Sequence, residues 1–156
     1  MATSGPTTNA GNKLYISAAK PTTFDGTGYA ALTWTEIGEI TDPGDKGRTY
    51  APVNHMPVAS RTVQKFKGSR DDGNMNVAYA TDRSDAGQIL CKTALDSDND
   101  YSFKSLYQNG EIDYFQAKVM SMAGGAGGTD SMRSGTMTLA ITATKAGTGI
   151  VEVAAP

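Results

Sequence analysis

The sequence predicts a mainly β protein, an antiparallel β-sandwich or barrel of about seven or eight strands with one flanking α-helix. Three observations carry that reading. Segments in which apolar and polar residues alternate recur along the chain, only one stretch spaces its apolar residues by three and four, and strands do not alternate regularly with helices.

Residues 1–11 (MATSGPTTNAG) are small and polar and read as a flexible or partner-ordered arm, ahead of a single β-sandwich domain over residues 12–156. Leu14, Ile16 and Ala18 alternate with Lys13, Tyr15 and Ser17, which marks a first strand. Lys20 to Ala31 is rich in turn formers and reads as a loop. Leu32 to Ile40 reads as one or two β segments, with Gly38 as a bulge or kink. Residues 42–57 contain Pro43, Pro52 and Pro57 with Gly44 and Gly47, so they read as a long loop of the kind that usually serves function. Arg61–Lys67 and Asn74–Ala80 alternate on either side of Asp71-Asp72-Gly73 and read as a β-hairpin.

Ala86, Ile89, Leu90, Ala94 and Leu95 have helical spacing, with Ser84 as the expected N-cap and Asp85 in the first turn. Tyr101–Tyr107 and Ile112–Met122 flank Asn109-Gly110, a type I′ hairpin signal. The glycines between 124 and 128 end that hairpin. In Gly135–Ala143, Met137, Leu139 and Ile141 share one face, opposite Thr136, Thr138 and Thr142. The expected core contains Trp34, Phe66, Ile89, Leu90, Phe115, Leu139 and Ile141.

Leu, Ile, Val and Phe together make only 24 of the 156 residues, below the share expected of a self-sufficient core. Seven Tyr, four Phe and one Trp with a net charge of −2 do not fit a disordered chain, so partners supply part of the burial and a homo-oligomer is expected. The balanced charge disfavours avid nucleic-acid binding. A lone Cys excludes an internal disulfide framework, and no apolar run is long enough for a membrane helix. Neither a signal peptide nor a membrane partner is expected.

No constellation points to catalysis. Cys91 and His55 are the only thiol and imidazole; Cys91 reads as a buried structural thiol and His55 as a loop or interface residue. Asp96, Asp98 and Asp100 resemble the start of a calcium loop, but Tyr101 and Tyr107 stand where glycine and a bidentate Glu belong. The Gly124–Gly128 cluster lacks the following Lys-Ser/Thr of a phosphate cradle. Arg61, Lys65, Lys67 and Arg70 form the one basic concentration and read as a solvated face or as partners for acids on a neighbouring subunit, ahead of direct nucleic-acid contact. A non-enzymatic protein without metal or cofactor is expected.

Four segments, taken in order, resemble the major tail tube proteins of bacteriophages with long, non-contractile tails: EIGEITDPGDKGRTYAPVNHMPVASRTVQKFKGSRDDG (36–73), DRSDAGQIL and its helix (82–95), DNDYSFKSLYQNGEIDYFQAKVMS (98–121) and GTMTLAI (135–141). The resemblance covers about two thirds of the chain. It implies a tail-tube fold, related to that of type VI secretion and contractile-tail tube proteins. It also implies a structural virion protein whose hexameric rings stack into a hollow tail tube for genomic DNA, assembled in the host bacterial cytoplasm. The implied partners are other copies of the chain, a tape measure protein, a tail terminator, a distal tail protein and transiently passing double-stranded DNA. A tube component of a phage-derived particle or secretion device, or a monomeric β-sandwich binding module, are the alternatives. On this reading Asp42, Pro43, Asp45, Lys46, Arg48, Tyr50 and His55 are candidates for contacts between rings. Arg61, Lys65, Lys67, Arg70, Asn74, Asn76, Thr136 and Thr138 are candidates for the lumen or the subunit interface.

Overall fold

The computed structural model describes residues 5–156, so the first four residues of the expected N-terminal arm lie outside the described part. Residues 5–11 are irregular, and Thr8 and Asn12 both hydrogen-bond to Gln108. Ten strands and two helices follow: β1 (Lys13–Ser17), α1 (Gly26–Ala30), β2 (Thr35–Ile37), β3 (Ile40–Asp42), β4 (Thr49–His55), β5 (Gln64–Asp71), β6 (Asn74–Ala80), α2 (Ala86–Leu95), β7 (Tyr101–Leu106), β8 (Ile112–Gly125), β9 (Ser134–Thr142) and β10 (Val151–Val153). The mainly β, antiparallel class matches expectation. The short α1, capped by Asp25 through a 2.7 Å bond from Gly28 N, replaces part of the expected loop.

Eight strands form one sheet in the order β2-β1-β7-β8-β9-β6-β3, with β10 also paired to β8. Strands β2 and β3 lie at opposite ends of that order yet are joined by Gly38 and Glu39 alone, so the sheet curls round and closes at this corner. Glu39 has φ 59°, and its carbonyl accepts from Ala80 N at 2.8 Å. The expected kink at Gly38 is therefore the point where one strand changes layers. The 14-residue β8 spans both layers, pairing through Ala117 with β7 and from Gln116 onward with β9, with a register shift between Val119 and Ser121.

The N-terminus of α2 closes the corner. Asp85, rather than Ser84, is the N-cap: its carboxylate accepts from Gln88 N at 2.9 Å and from Gly38 N at 3.1 Å. Gln88 donates to the carbonyls of Gly38 and Ala80 and accepts from Asp82 N. A side chain at Gly87 would strike the Glu36 carbonyl and the Ile37 Cα, so only glycine allows this approach of helix to strand.

The core lies on the inward face of the curled sheet and against α2, with Ile16, Phe103, Phe115, Val77, Cys91 and Leu139 fully buried. Phe115, Leu139 and Ile141 are core residues as expected, and Leu90 packs against the core while partly exposed. Ile89 and Phe66 are not, being 51% and 56% exposed. On a helix, residues two apart point in nearly opposite directions, so burial of Cys91 turns Ile89 outward. Phe66 belongs to a hairpin with no layer packed over it. Trp34 is half-buried in a second aromatic cluster, where Tyr114 stacks on Tyr29 at 5.1 Å and on Trp34 at 5.8 Å.

Two further expectations are corrected. The segment 42–57 is not a continuous loop, because residues 49–55 form β4. Its partner is β5, so β5 and β6 are not a hairpin; Asp71-Asp72-Gly73 turns the chain from one sheet into another. Pro52 is tolerated because β4–β5 is a two-stranded ribbon, with a register shift beside that proline. The β7–β8 hairpin forms as expected, but among residues 107–111 only Gly110 has positive φ. Gly110 N donates to Tyr107 O and Tyr107 N to Glu111 O, so the turn is type I with a glycine bulge instead of type I′.

Candidate assembly surfaces

The expected site residues fall into two groups that the fold keeps apart. Tyr50, His55, Lys65, Lys67 and Arg70 lie on the β4–β5 ribbon, with Arg61 between its strands. Asn74, Asn76, Thr136 and Thr138 lie on neighbouring strands of the large sheet.

The ribbon is exposed along almost its whole length, and its two faces differ. Val53 and Phe66 are directly opposed on one face and more than half exposed. Pro52–Lys67 and Asn54–Lys65 form the other, with the Lys67 ammonium 4.9 Å from the centre of the Tyr50 ring. Val63, Met56 and Val58 add exposed apolar area at its distal end. Tyr50 and Pro52 alternate with Ala51 and Val53 in the sequence, but the prolines and glycines around them obscure the strand.

Both legs of the ribbon are anchored to the body. On one side Lys46 is withdrawn from solvent: its ammonium lies 2.9 Å from Asp113 and donates to the Tyr107 hydroxyl, which itself donates to Asp113 at 2.6 Å. Burial disfavours the ammonium, yet the hydrogen bonds to Tyr107 and Asp113 and the Asp113 charge prevail and raise its pKa above the ordinary lysine value. On the other side Arg70 bonds the buried Asp72 carboxylate and the Gly147 carbonyl. Lys46 and Arg70 are thus structural anchors, while Asp45 and Arg48 remain exposed. Asp42 ends β3 and accepts from Gly44 N at 2.8 Å; Pro43 is half-buried.

The second surface is the outward face of β8-β9-β6-β3. The register places Asn74, Asn76 and Ala78 beside Ala140, Thr138 and Thr136, with Ser121 and Ala123 next on β8. Thr138 donates to Asn76 at 3.0 Å. On β8, β9 and β6 these positions are small uncharged groups; Lys118 at one border is engaged by Asp100 and the Asp98 carbonyl, and Asp42 of β3 stands at the other. Since β7 ends opposite Ala117, no described strand pairs with that side of β8 from Val119 to Gly125. The layer therefore ends in an open strand edge.

The side chains suited to chemistry stay separate. Cys91 is buried in α2, whereas His55 is exposed on the ribbon. Burial and then the Asp85 charge push the Cys91 thiol up from 9.0 to about 12. The native thiol should therefore resist disulfide reagents at neutral pH and react only on unfolding; fast labelling of native protein would show that α2 opens. The unfolded thiol ionises first, so this group's contribution to stability is complete below pH 9 and is lost as pH rises from 9 towards about 12. Asp100 is paired with Lys118, Asp96 is the helix C-cap, and no group of three metal-ligating side chains occurs among the described residues. No helix of the described residues is long and apolar enough to cross a membrane.

No family model and no curated protein matches the chain. Solved structures do. A chain of an extracellular contractile injection system, the PVC sheath/tube terminator in its extended state, is 8% identical with a TM-score of 0.67 over 98% of this chain and 100% of the other. A chain of the PVC sheath-tube complex is 10% identical with a TM-score of 0.60, over 98% and 95%. The SPP1 tail tube is 15% identical with a TM-score of 0.58, over 95% and 78%. The chain has the tail-tube fold. At these identities the likeness concerns the path of the backbone.

Proposed function

We propose that this protein is a structural, non-enzymatic tail tube subunit, six copies closing into a ring and rings stacking into a hollow conduit for genomic DNA. The observation that carries the reading is the β8-β9-β6-β3 layer, which joins a small uncharged face to an open strand edge. Joining such edges between subunits builds a continuous barrel and removes exposed edges without a large private core. A lumen of Asn, Thr, Ser and Ala offers no array of cations to hold phosphate by counterion release, so DNA passes without being retained. Asn74, Asn76, Thr136 and Thr138 then face the lumen. The ribbon, with Tyr50, His55, Arg61, Lys65 and Lys67, makes contacts between rings, supported by Arg48 at its base. By resemblance the tube ends on terminator and distal tail proteins and encloses a tape measure protein, with assembly in the bacterial cytoplasm before release in the virion. The likeness to chains of a contractile injection system supports a second reading, a tube of a phage-derived device, which the genes flanking this one distinguish.

Negative-stain electron microscopy of the concentrated protein should show rings or tubes with a central channel; only compact monomers would overturn the tube reading. Tyr50 and Arg70 are direct cross-strand partners, so residues 51–69 can be replaced by Asn-Gly to give a two-residue turn. This variant should keep the thermal unfolding of the body and form rings that do not stack. Full-length tubes from it would show that the ribbon does not join rings.

A further inference from the structure

We propose that the groove between α2 and the β8–β9 hairpin receives the acidic β3 edge of a second copy of this chain, which sets the head-to-tail direction of the ring. This rests on the tube reading above and adds the residues that orient the contact. The groove encloses about 650 Å3 and lies beside the open edge of β8. Ile89, Leu95 and Met122 supply apolar lining, and Arg83, Lys92 and Arg133 stand around it. These three cations are exposed and make no ion pair among the described residues. Asp82, the acid in the lining, already accepts from Ser84 N at 2.9 Å and Ser84 Oγ at 2.6 Å.

The opposite end of the same four-stranded layer has the opposite charge. Glu39, Asp42 and Asp45 follow one another along and beyond β3, all exposed and without an ion pair among the described residues. Lys46 is held by Asp113, so beside these three acids only Arg48 is left as a free cation among the described residues, and the edge stays net acidic. Two β3 edges brought together would oppose like charges, and so would two grooves; only edge to groove joins opposite charges, the heterologous contact that generates a ring. Ile89 is exposed in the subunit because its cover comes from the next copy.

Two variants test this. Lys92→Glu with Arg133→Glu makes the groove acidic, and Glu39→Lys with Asp45→Lys makes the edge basic; all four positions are exposed, and circular dichroism checks that both variants fold. At a concentration where wild type is assembled, each variant alone should remain monomeric by mass photometry. Their equimolar mixture should assemble into alternating rings, since each groove then meets an edge of opposite charge and a six-fold ring permits alternation. Assembly of either variant alone at the wild-type level, or folded variants whose mixture stays monomeric, overturns the inference while leaving the tube reading intact. Failure of the wild type itself to form rings or tubes removes the tube reading and this inference together.

Discussion

Leu139→Asp should leave no cooperatively folded protein. Leu139 is fully buried, with Met75 and Val119 as its cross-strand partners in the centre of β9. A carboxylate there has no cation among its neighbours, and even the protonated form leaves a polar group unpaired in the core while losing the packing of an isobutyl group. The combined cost is several kcal/mol, comparable with the total stability of a domain, about 5–15 kcal/mol. Leu139→Met, which conserves volume, should cost less than about 1.5 kcal/mol and serves as the control. Thermal unfolding followed by circular dichroism separates the two. A wild-type transition for the Asp variant would mean that this face of β9 is not inside.

Asp113→Ala should be the most damaging change outside the core. It strands the Lys46 ammonium, which keeps only 10% of its side-chain surface in solvent, and takes an acceptor from Tyr107. Breaking a buried ion pair by removing one partner costs about 3–5 kcal/mol, and the 16% exposure of Asp113 places this pair near the lower figure. Removing both charges, as Lys46→Met with Asp113→Leu, should recover most of the loss, because the penalty comes from the unpaired charge. Urea unfolding of the single and double variants measures the difference. Equal destabilisation of both would locate the stabilisation in the geometry of the 43–48 segment rather than in the charge balance. Assembly should suffer as well, since Lys46 fixes the leg from which β4 leaves the body.

Several local features were legible in the sequence. The period of two in Asn74–Ala80 and Gly135–Ala143 separates Met75, Val77, Met137 and Leu139 from Asn76 and Thr138, as the structure does. Asn109-Gly110 marked the β7–β8 hairpin, and Gly38 marked the corner between β2 and β3. The α2 boundaries were nearly correct. Its N-cap was displaced by one residue because Ser84 and Asp85 are both good caps, and the choice is made by the Gly38 amide, 47 residues away in the chain. Alternation placed Asn74, Asn76, Thr136 and Thr138 on one face of their strands, whereas the expected pairing of Arg61–Lys67 with Asn74–Ala80 gives way to the ribbon with β4.

By itself the sequence determined which residues alternate, where the chain turns and which segment is helical, because those properties depend on side chains two to four residues apart. Tertiary structure alone decided that β5 pairs with β4 instead of β6, that Ile89 turns outward, and that Lys46 is an anchor while Asp45 is free to meet a partner. These outcomes depend on contacts between segments far apart in the chain, whose energies no local pattern contains.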